Sequence, residues 1–173
     1  TPLAFVLKAC ALSLAAFPRF NASLGPTLRT LILKKYCHIG FAVDTDAGLL
    51  VPVIRDVDEK GIVDLAEEVT ELSQLARGRK LRPEHMAGGC FTVSSLGAIG
   101  GTGFTPIVNA PELAILGIAR MDTQPLWDGQ QFVPRKMLPV SLSYDHRAIN
   151  GAEAGRFVQR LGQILTEPES LLR

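Results

Sequence analysis

The residues best suited to chemistry stand together in Ser141-Leu-Ser-Tyr-Asp-His-Arg-Ala-Ile-Asn-Gly-Ala152. This stretch puts Asp145, His146 and Arg147 just after an apolar strand and before a helix that Asn150 can cap. A strand end is a rigid mount for a reacting side chain. A neutral imidazole titrates near neutral pH, so His146 can accept a proton and return it. Residue types alone leave a blander alternative open, a histidine satisfied by local hydrogen bonds at a turn. Ser94 and Ser95 lie where a strand meets a glycine-rich run, and hydroxyls in such places commonly satisfy backbone groups. Gly97, Gly100, Gly101 and Gly103 match neither phosphate-loop pattern. They suit either the close approach of a long thin substrate arm or a plain flexible turn.

The elements that must position these groups follow from periodicity and turn chemistry. Thr1-Pro2 is a hydroxyl N-cap followed by proline at the first helical position, opening an apolar helix that reaches Phe17 and ends before Pro18. Ile32–Tyr36 and His38–Asp44 read as strands, with Gly40 a weak point. Asp46-Ala-Gly48 is a turn, and Leu49–Ile54 is a strand that Pro52 consigns to an edge or a bulge. Ile62–Arg77 is an amphipathic helix with Ile62, Leu65, Ala66, Val69, Leu72 and Ala76 on one stripe, stopped by Gly78. Arg82–Met86 opens a short helix. Cys90–Ser94, Leu113–Ala119 and Lys136–Tyr144 are further strands, Asp128-Gly129 is a hairpin turn, and Asn150–Leu165 is a second amphipathic helix. Strands and helices mix without strict alternation, which predicts an α/β (α+β) fold with a mixed sheet and flanking helices, and excludes a dinucleotide-binding double winding.

Composition narrows the function classes. The 173 residues suit one domain, with 47% apolar and 20% charged residues. With 18 basic and 17 acidic side chains the net charge is +1, so no overall field argues for nucleic acid. Cys10, Cys37 and Cys90 are odd in number and widely spaced, which predicts buried thiols in a reducing compartment and no metal site. The apolar Leu3–Phe17 segment is too short to span a bilayer and is interrupted by Lys8. His38 and His85 lack motif support and are read as structural. Arg19, Arg29, Lys34 and Lys35 are either solvated surface cations or phosphate contacts.

A longer pattern carries more weight. D-H-R-x-x-x-G-A, followed by Gly151-Ala-Glu-Ala-Gly-Arg-Phe157, resembles the signature of the dihydrolipoyl acyltransferases, the catalytic cores of the 2-oxo acid dehydrogenase complexes. Arg19-Phe-Asn-Ala-Ser23, Leu33-Lys-Lys-Tyr36, Ile39-Gly-Phe-Ala-Val-Asp44, Gly48-Leu-Leu-Val-Pro-Val53, Gly89-Cys-Phe-Thr-Val-Ser-Ser-Leu-Gly97 and Phe104-Thr-Pro-Ile-Val-Asn-Ala-Pro-Glu112 resemble the same domain in the same order. The likeness covers essentially the whole chain and is greatest to the pyruvate branch, whose members transfer acetyl groups.

The resemblance implies acyl transfer between the dihydrolipoyl arm of a carrier domain and coenzyme A. A thiol with a pKa of about 8.5 is only a few per cent thiolate at pH 7. His146 would remove the coenzyme A proton, and Ser94 would stabilise the tetrahedral oxyanion. Asn150 stands where most relatives carry aspartate; its amide can orient groups by hydrogen bonding but supplies no negative charge, and simple N-capping is its other role. Asp145 and Arg147 are expected to hold the loop.

The implied fold is the two-layer sandwich of chloramphenicol acetyltransferase. The implied assembly is a homotrimer, built into a larger cubic or similar core, with each site shared between neighbouring chains. Expected partners are a lipoyl domain in cis and the decarboxylase and dihydrolipoamide dehydrogenase components, with neither nucleic acid nor membrane. Relatives extend further at the N-terminus, so residues 1–173 are expected to form a catalytic domain lacking its first part, with lipoyl and partner-binding domains outside it. Glu169–Arg173 is either an anchor between trimers or a frayed end. The expected compartment is bacterial cytoplasm, with the mitochondrial matrix as alternative. The rival functions are a non-catalytic scaffold and a chloramphenicol-type acetyltransferase; the latter favours two adjacent histidines where this chain has Asp145-His146.

Overall fold

The computed structural model describes residues 2–97 and 99–172, the side chains of Ser170 and Leu172 excepted. The proposed cap Thr1, Ala98 of the glycine run and the terminal Arg173 lie outside the described residues. Helix α1 spans Pro2–Ala16. The strands that follow are β1 (Ala22–Leu24), β2 (Leu31–Leu33), β3 (Ile39–Phe41), β4 (Val43–Thr45), β5 (Gly48–Leu50) and β6 (Val53–Ile54). Then come α2 (Ile62–Arg77), β7 (Phe91–Ser95), β8 (Ala114–Ile118), β9 (Asp122–Trp127), β10 (Phe132–Met137), β11 (Val140–Tyr144) and α3 (Gly151–Thr166). Short 3-10 turns occupy Pro18–Phe20, Pro83–Met86 and Pro168–Leu172.

The central sheet has the order β11-β8-β7-β3-β6. β3, β7 and β8 run parallel, and β6 and β11 are antiparallel to their neighbours, so the sheet is mixed as expected. Alternation along β7 sends Phe91 and Val93 into the apolar core and turns Thr92 and Ser94 to the other face. Phe157 of α3 stacks on Phe20 at 4.4 Å and meets Phe91 at 5.8 Å, which ties the last helix to the middle of the sheet. Helix α1 is almost wholly buried and touches both α2 and α3. Its Lys8 fits there because the ammonium donates to the Asp58 and Lys60 carbonyls, each at 2.7 Å. Cys10, Cys37 and Cys90 are all buried free thiols, as expected.

Several boundaries differ from expectation, each for a local reason. The expected strand Leu49–Ile54 breaks at Val51-Pro52 into β5, which pairs with β4, and β6 at the sheet edge, because proline cannot donate to a ladder. Gly40 is a close-approach point: a β-carbon there would fall 2.9 Å from Val51 Cγ1. The expected strand Lys136–Tyr144 is interrupted at Leu138-Pro139, so β10 belongs to a separate hairpin with β9 around Asp128-Gly129, while β11 joins the main sheet. The pairing of β1 with β2 was not anticipated; β2 ends early because Asn21 Nδ2 donates to the Lys34 and Tyr36 carbonyls. Leu171 is 2% exposed within the chain's own core, so this residue at least is not held out for a neighbour.

Candidate active site

The segment after β11 is built as a braced turn. The Asp145 backbone N–H donates to the Leu113 carbonyl at 2.8 Å, and the Asp145 carbonyl accepts from Ala148 and Ile149. Arg147 Nη2 and Nε donate to the Asp145 carboxylate at 2.6 and 2.9 Å, and the Arg147 backbone N–H adds a third bond. The guanidinium holds the Asp145 carboxyl below the usual range, and the Asp145 carboxylate in return raises the Arg147 pKa. Ile149, 1% exposed, pins the far end of the turn. Arg19 Nη1 donates to the Ala148 carbonyl at 3.3 Å, so one candidate phosphate contact is already engaged in holding this loop. Asn150 caps α3 by accepting the Glu153 backbone N–H at 2.9 Å through its Oδ1.

Between these anchors His146 is exposed. Its ring meets Tyr144 at 5.7 Å, and among the described residues its side chain has no hydrogen-bond or ion-pair partner in the chain. The turn's hydrogen bonds are carried by Asp145 and its neighbours, not by the imidazole. Among the described residues Ser94 likewise has no side-chain partner, whereas Ser95 Oγ accepts the Gly97 N–H at 3.4 Å. The two hydroxyls of the pair therefore differ: Ser95 serves the glycine turn and Ser94 is left free. Gly100 and Gly101 adopt φ values of 115° and 90°, and a β-carbon on either would meet nothing.

One chain does not bring His146 and Ser94 together. Ser94 pairs with Gly117, and Gly117 pairs with Ser141, so Ser94 is level with the start of β11. His146 comes five residues later, beyond the opposite end of that strand. At about 3.3 Å per residue along a strand and about 4.8 Å between strands, the two groups lie on the order of 15 Å apart or more within a subunit.

Two groups were missed at the level of sequence. Glu112 is 7% exposed and accepts the Thr92 hydroxyl at 2.6 Å, two residues before Ser94 on β7. It borders a cavity of about 440 Å³ that Asp145 and Arg147 also line. Burial pushes its carboxyl up to about 7, against the opposing influence of Thr92, Lys34 and Asn109. Folding thus makes this group retain a proton that the unfolded chain releases. Its contribution makes the native state most stable below the ordinary carboxylate range, and that stability is lost as pH rises from there through about 7. Glu112→Gln is expected to flatten this loss and to be more stable than the parent at pH 8 by on the order of 2–3 kcal/mol. Urea midpoints at pH 5 and pH 8 test it; parallel pH dependence in the two proteins would refute it. The second is the packing of Phe104 on Gly117, for which the available signal was a glycine inside an otherwise apolar strand.

His38 and His85 are structural, as expected: each accepts a backbone N–H through Nδ1, from Asp56 at 3.0 Å and Arg82 at 3.1 Å.

Known proteins match this arrangement. The dihydrolipoyllysine-residue acetyltransferase component of the pyruvate dehydrogenase complex of Pseudomonas aeruginosa is 61% identical over 99% of this chain; the chain spans 31% of that relative's length. A structure solved to examine the role of a serine, a histidine and an asparagine in the catalytic mechanism of Azotobacter vinelandii dihydrolipoamide acetyltransferase superposes with a TM-score of 0.97 at 59% identity. It covers all of this chain, which spans 71% of that one. The cubic core of a pyruvate dehydrogenase multienzyme complex superposes equally well, with TM-score 0.97, 60% identity and coverage of 100% and 71%. Chloramphenicol acetyltransferase, at 13% identity and TM-score 0.60, shares the fold, with coverage of 95% of this chain and 78% of that one. The family model for the 2-oxoacid dehydrogenases acyltransferase catalytic domain matches residues 1–173. With that match running from end to end of the fold described above, the chain belongs to the 2-oxoacid dehydrogenase acyltransferase family, in its catalytic domain.

Proposed function

We propose that residues 1–173 act as an acyltransferase domain that moves an acetyl group between a dihydrolipoyl arm and coenzyme A. The observation that carries this reading is a pair of groups without a side-chain hydrogen-bond partner among the described residues, the His146 imidazole and the Ser94 hydroxyl, held on rigid sheet ends. The serine, histidine and asparagine named for the Azotobacter enzyme fall at the same intervals along its chain as Ser94, His146 and Asn150 do here, which supports the assignment. His146 takes the proton from the coenzyme A thiol, the thiolate attacks the acyl-dihydrolipoyl carbonyl, and the oxyanion receives the Ser94 hydroxyl hydrogen bond. His146 then returns the proton to the departing dihydrolipoyl sulfur, and no acyl-enzyme forms. Asn150 Oδ1 is committed to the helix cap, which leaves its amide N–H groups to orient a neighbouring group in the site.

The separation of His146 from Ser94 within a subunit favours a site assembled between subunits of a homotrimer, and the likeness to a cubic core favours trimers joined into that larger particle. Coenzyme A and a lipoyl group are then substrates, and a lipoyl domain with the decarboxylase and dihydrolipoamide dehydrogenase components are the partners. The bacterial sources of the relatives favour a bacterial cytoplasmic setting.

The test mixes two crippled proteins. Full-length chains carrying His146→Ala and Ser94→Ala are each expected to be nearly inactive with acetyl-coenzyme A and dihydrolipoamide. Co-assembled in equal amounts, they should regain about a quarter of parental activity, since one interface in four joins an intact histidine to an intact serine. No recovery in mixed trimers would place both groups in one subunit's site or remove one of them from it.

A further inference from the structure

We propose that Phe104 sets the size and polarity of the acyl group that reaches Ser94, admitting a short uncharged acyl chain and excluding branched or carboxylated ones. The inference rests on the assignment of Ser94 to the oxyanion.

Residues paired across neighbouring strands present their side chains to the same face. Ser94 of β7, Gly117 of β8 and Ser141 of β11 therefore form one row on the face turned away from Phe91 and Val93. Neighbours in that row are about 4.8 Å apart. Its middle position has no side chain, and the space is taken by a residue from elsewhere. A β-carbon on Gly117 would fall 2.9 Å from Phe104 Cζ, 3.1 Å from Phe104 Cε1 and 3.1 Å from Pro106 Cδ. The Phe104 ring thus lies over the bare backbone of β8 at the middle position of that row, with buried Pro106 packed on the same glycine. Phe104 itself is only half-buried, so it borders open space as well as the sheet.

A thioester that offers its carbonyl oxygen to Ser94 Oγ at hydrogen-bond distance places its acyl carbon within about 4 Å of that hydroxyl. The tail attached to that carbon must share space with whatever flanks Ser94 in the row, and on the β8 side that is an aromatic ring. The ring leaves room for a methyl group but meets a branched tail. It also offers no hydrogen-bond donor to a terminal carboxylate, which would lose its hydration without replacement. Gly117 and Phe104 act together: any larger residue at 117 displaces the ring, and a smaller residue at 104 leaves a pocket beside the oxyanion position.

The experiment uses the full-length assembled enzyme with dihydrolipoamide and acetyl-, isobutyryl- or succinyl-coenzyme A as donors. Phe104→Ala is expected to raise the isobutyryl-to-acetyl ratio of kcat/KM by at least ~10-fold, the lower range for one added carbon group against a pocket wall. Phe104→Leu should give a smaller rise and carries the test if the alanine variant does not assemble. A ratio within twofold of the parent in an assembled variant overturns the proposal. Ser94→Ala separates the two assignments: it should slow every donor and leave the ratio unaltered. If Ser94→Ala slows nothing, the oxyanion assignment falls; if it slows all donors while Phe104 variants leave the ratio unmoved, only the Phe104 inference falls.

Discussion

His146→Ala is expected to lower acetyl transfer between acetyl-coenzyme A and dihydrolipoamide by at least ~10²-fold in an assembled enzyme, the low end for removal of a general base. The size follows from the chemistry of the attacking thiol, which is dihydrolipoamide's in this direction. Even a cysteine thiol, with a pKa of about 8.5, is only a few per cent ionised at pH 7, an aliphatic thiol is ionised no more than that, and the neutral form is a poor nucleophile. The imidazole removes that handicap, and nothing else in the turn can replace it: Asp145 is tied to Arg147 by three side-chain bonds and held ionised by it. The defect should shrink as pH rises, because solvent then supplies thiolate that the variant cannot generate, about tenfold more per unit below the thiol pKa. A structural role for His146 would predict a loss independent of pH. A loss under threefold in correctly assembled protein would remove His146 from the mechanism and leave the scaffold reading. The surrounding turn is braced without the imidazole, so the variant should fold.

Ser94→Ala should lower kcat by on the order of 10²–10³ while leaving KM for both substrates nearly unchanged. A hydroxyl aimed at developing negative charge acts mainly in the transition state, so its loss appears in turnover and not in binding. Ser95→Ala is the matched control. Ser95 points to the other side of β7 and its hydroxyl serves the Gly97 N–H, so its removal should leave turnover within about twofold. Equal damage from the two substitutions would indicate disruption of the strand end, and a KM effect alone would make Ser94 a substrate contact.

Much of the local structure was legible from residue order. The Ile62–Arg77 helix has the bounds its apolar stripe and Gly78 imply, and Asn150 caps α3 as a short polar residue before an amphipathic run should. Pro52 and Pro139 mark the positions where continuous apolar runs are cut into separate strands; Pro52 signals an edge or a bulge from the sequence, and β6 is an edge strand, whereas the break at Pro139 separates two runs that read as one. Glu112 is not legible in the sequence beyond its motif, because its burial and its bond to Thr92 join residues 20 apart that no local pattern connects.

Residue order by itself determined the chemistry on offer: a histidine on a strand end, a serine at a strand-to-glycine junction, and ordered motifs that match one family along the entire chain. Those are properties of types and spacings, which are local. Only the tertiary structure decided that Ser94 and His146 occupy opposite ends of one sheet, that Ser95 and not Ser94 serves the glycine turn, and that Phe104 fills the place left by Gly117. Each of these depends on strand order, direction and register. They are set when distant segments pack, and a shift of one residue in pairing would turn every one of those side chains to the other face.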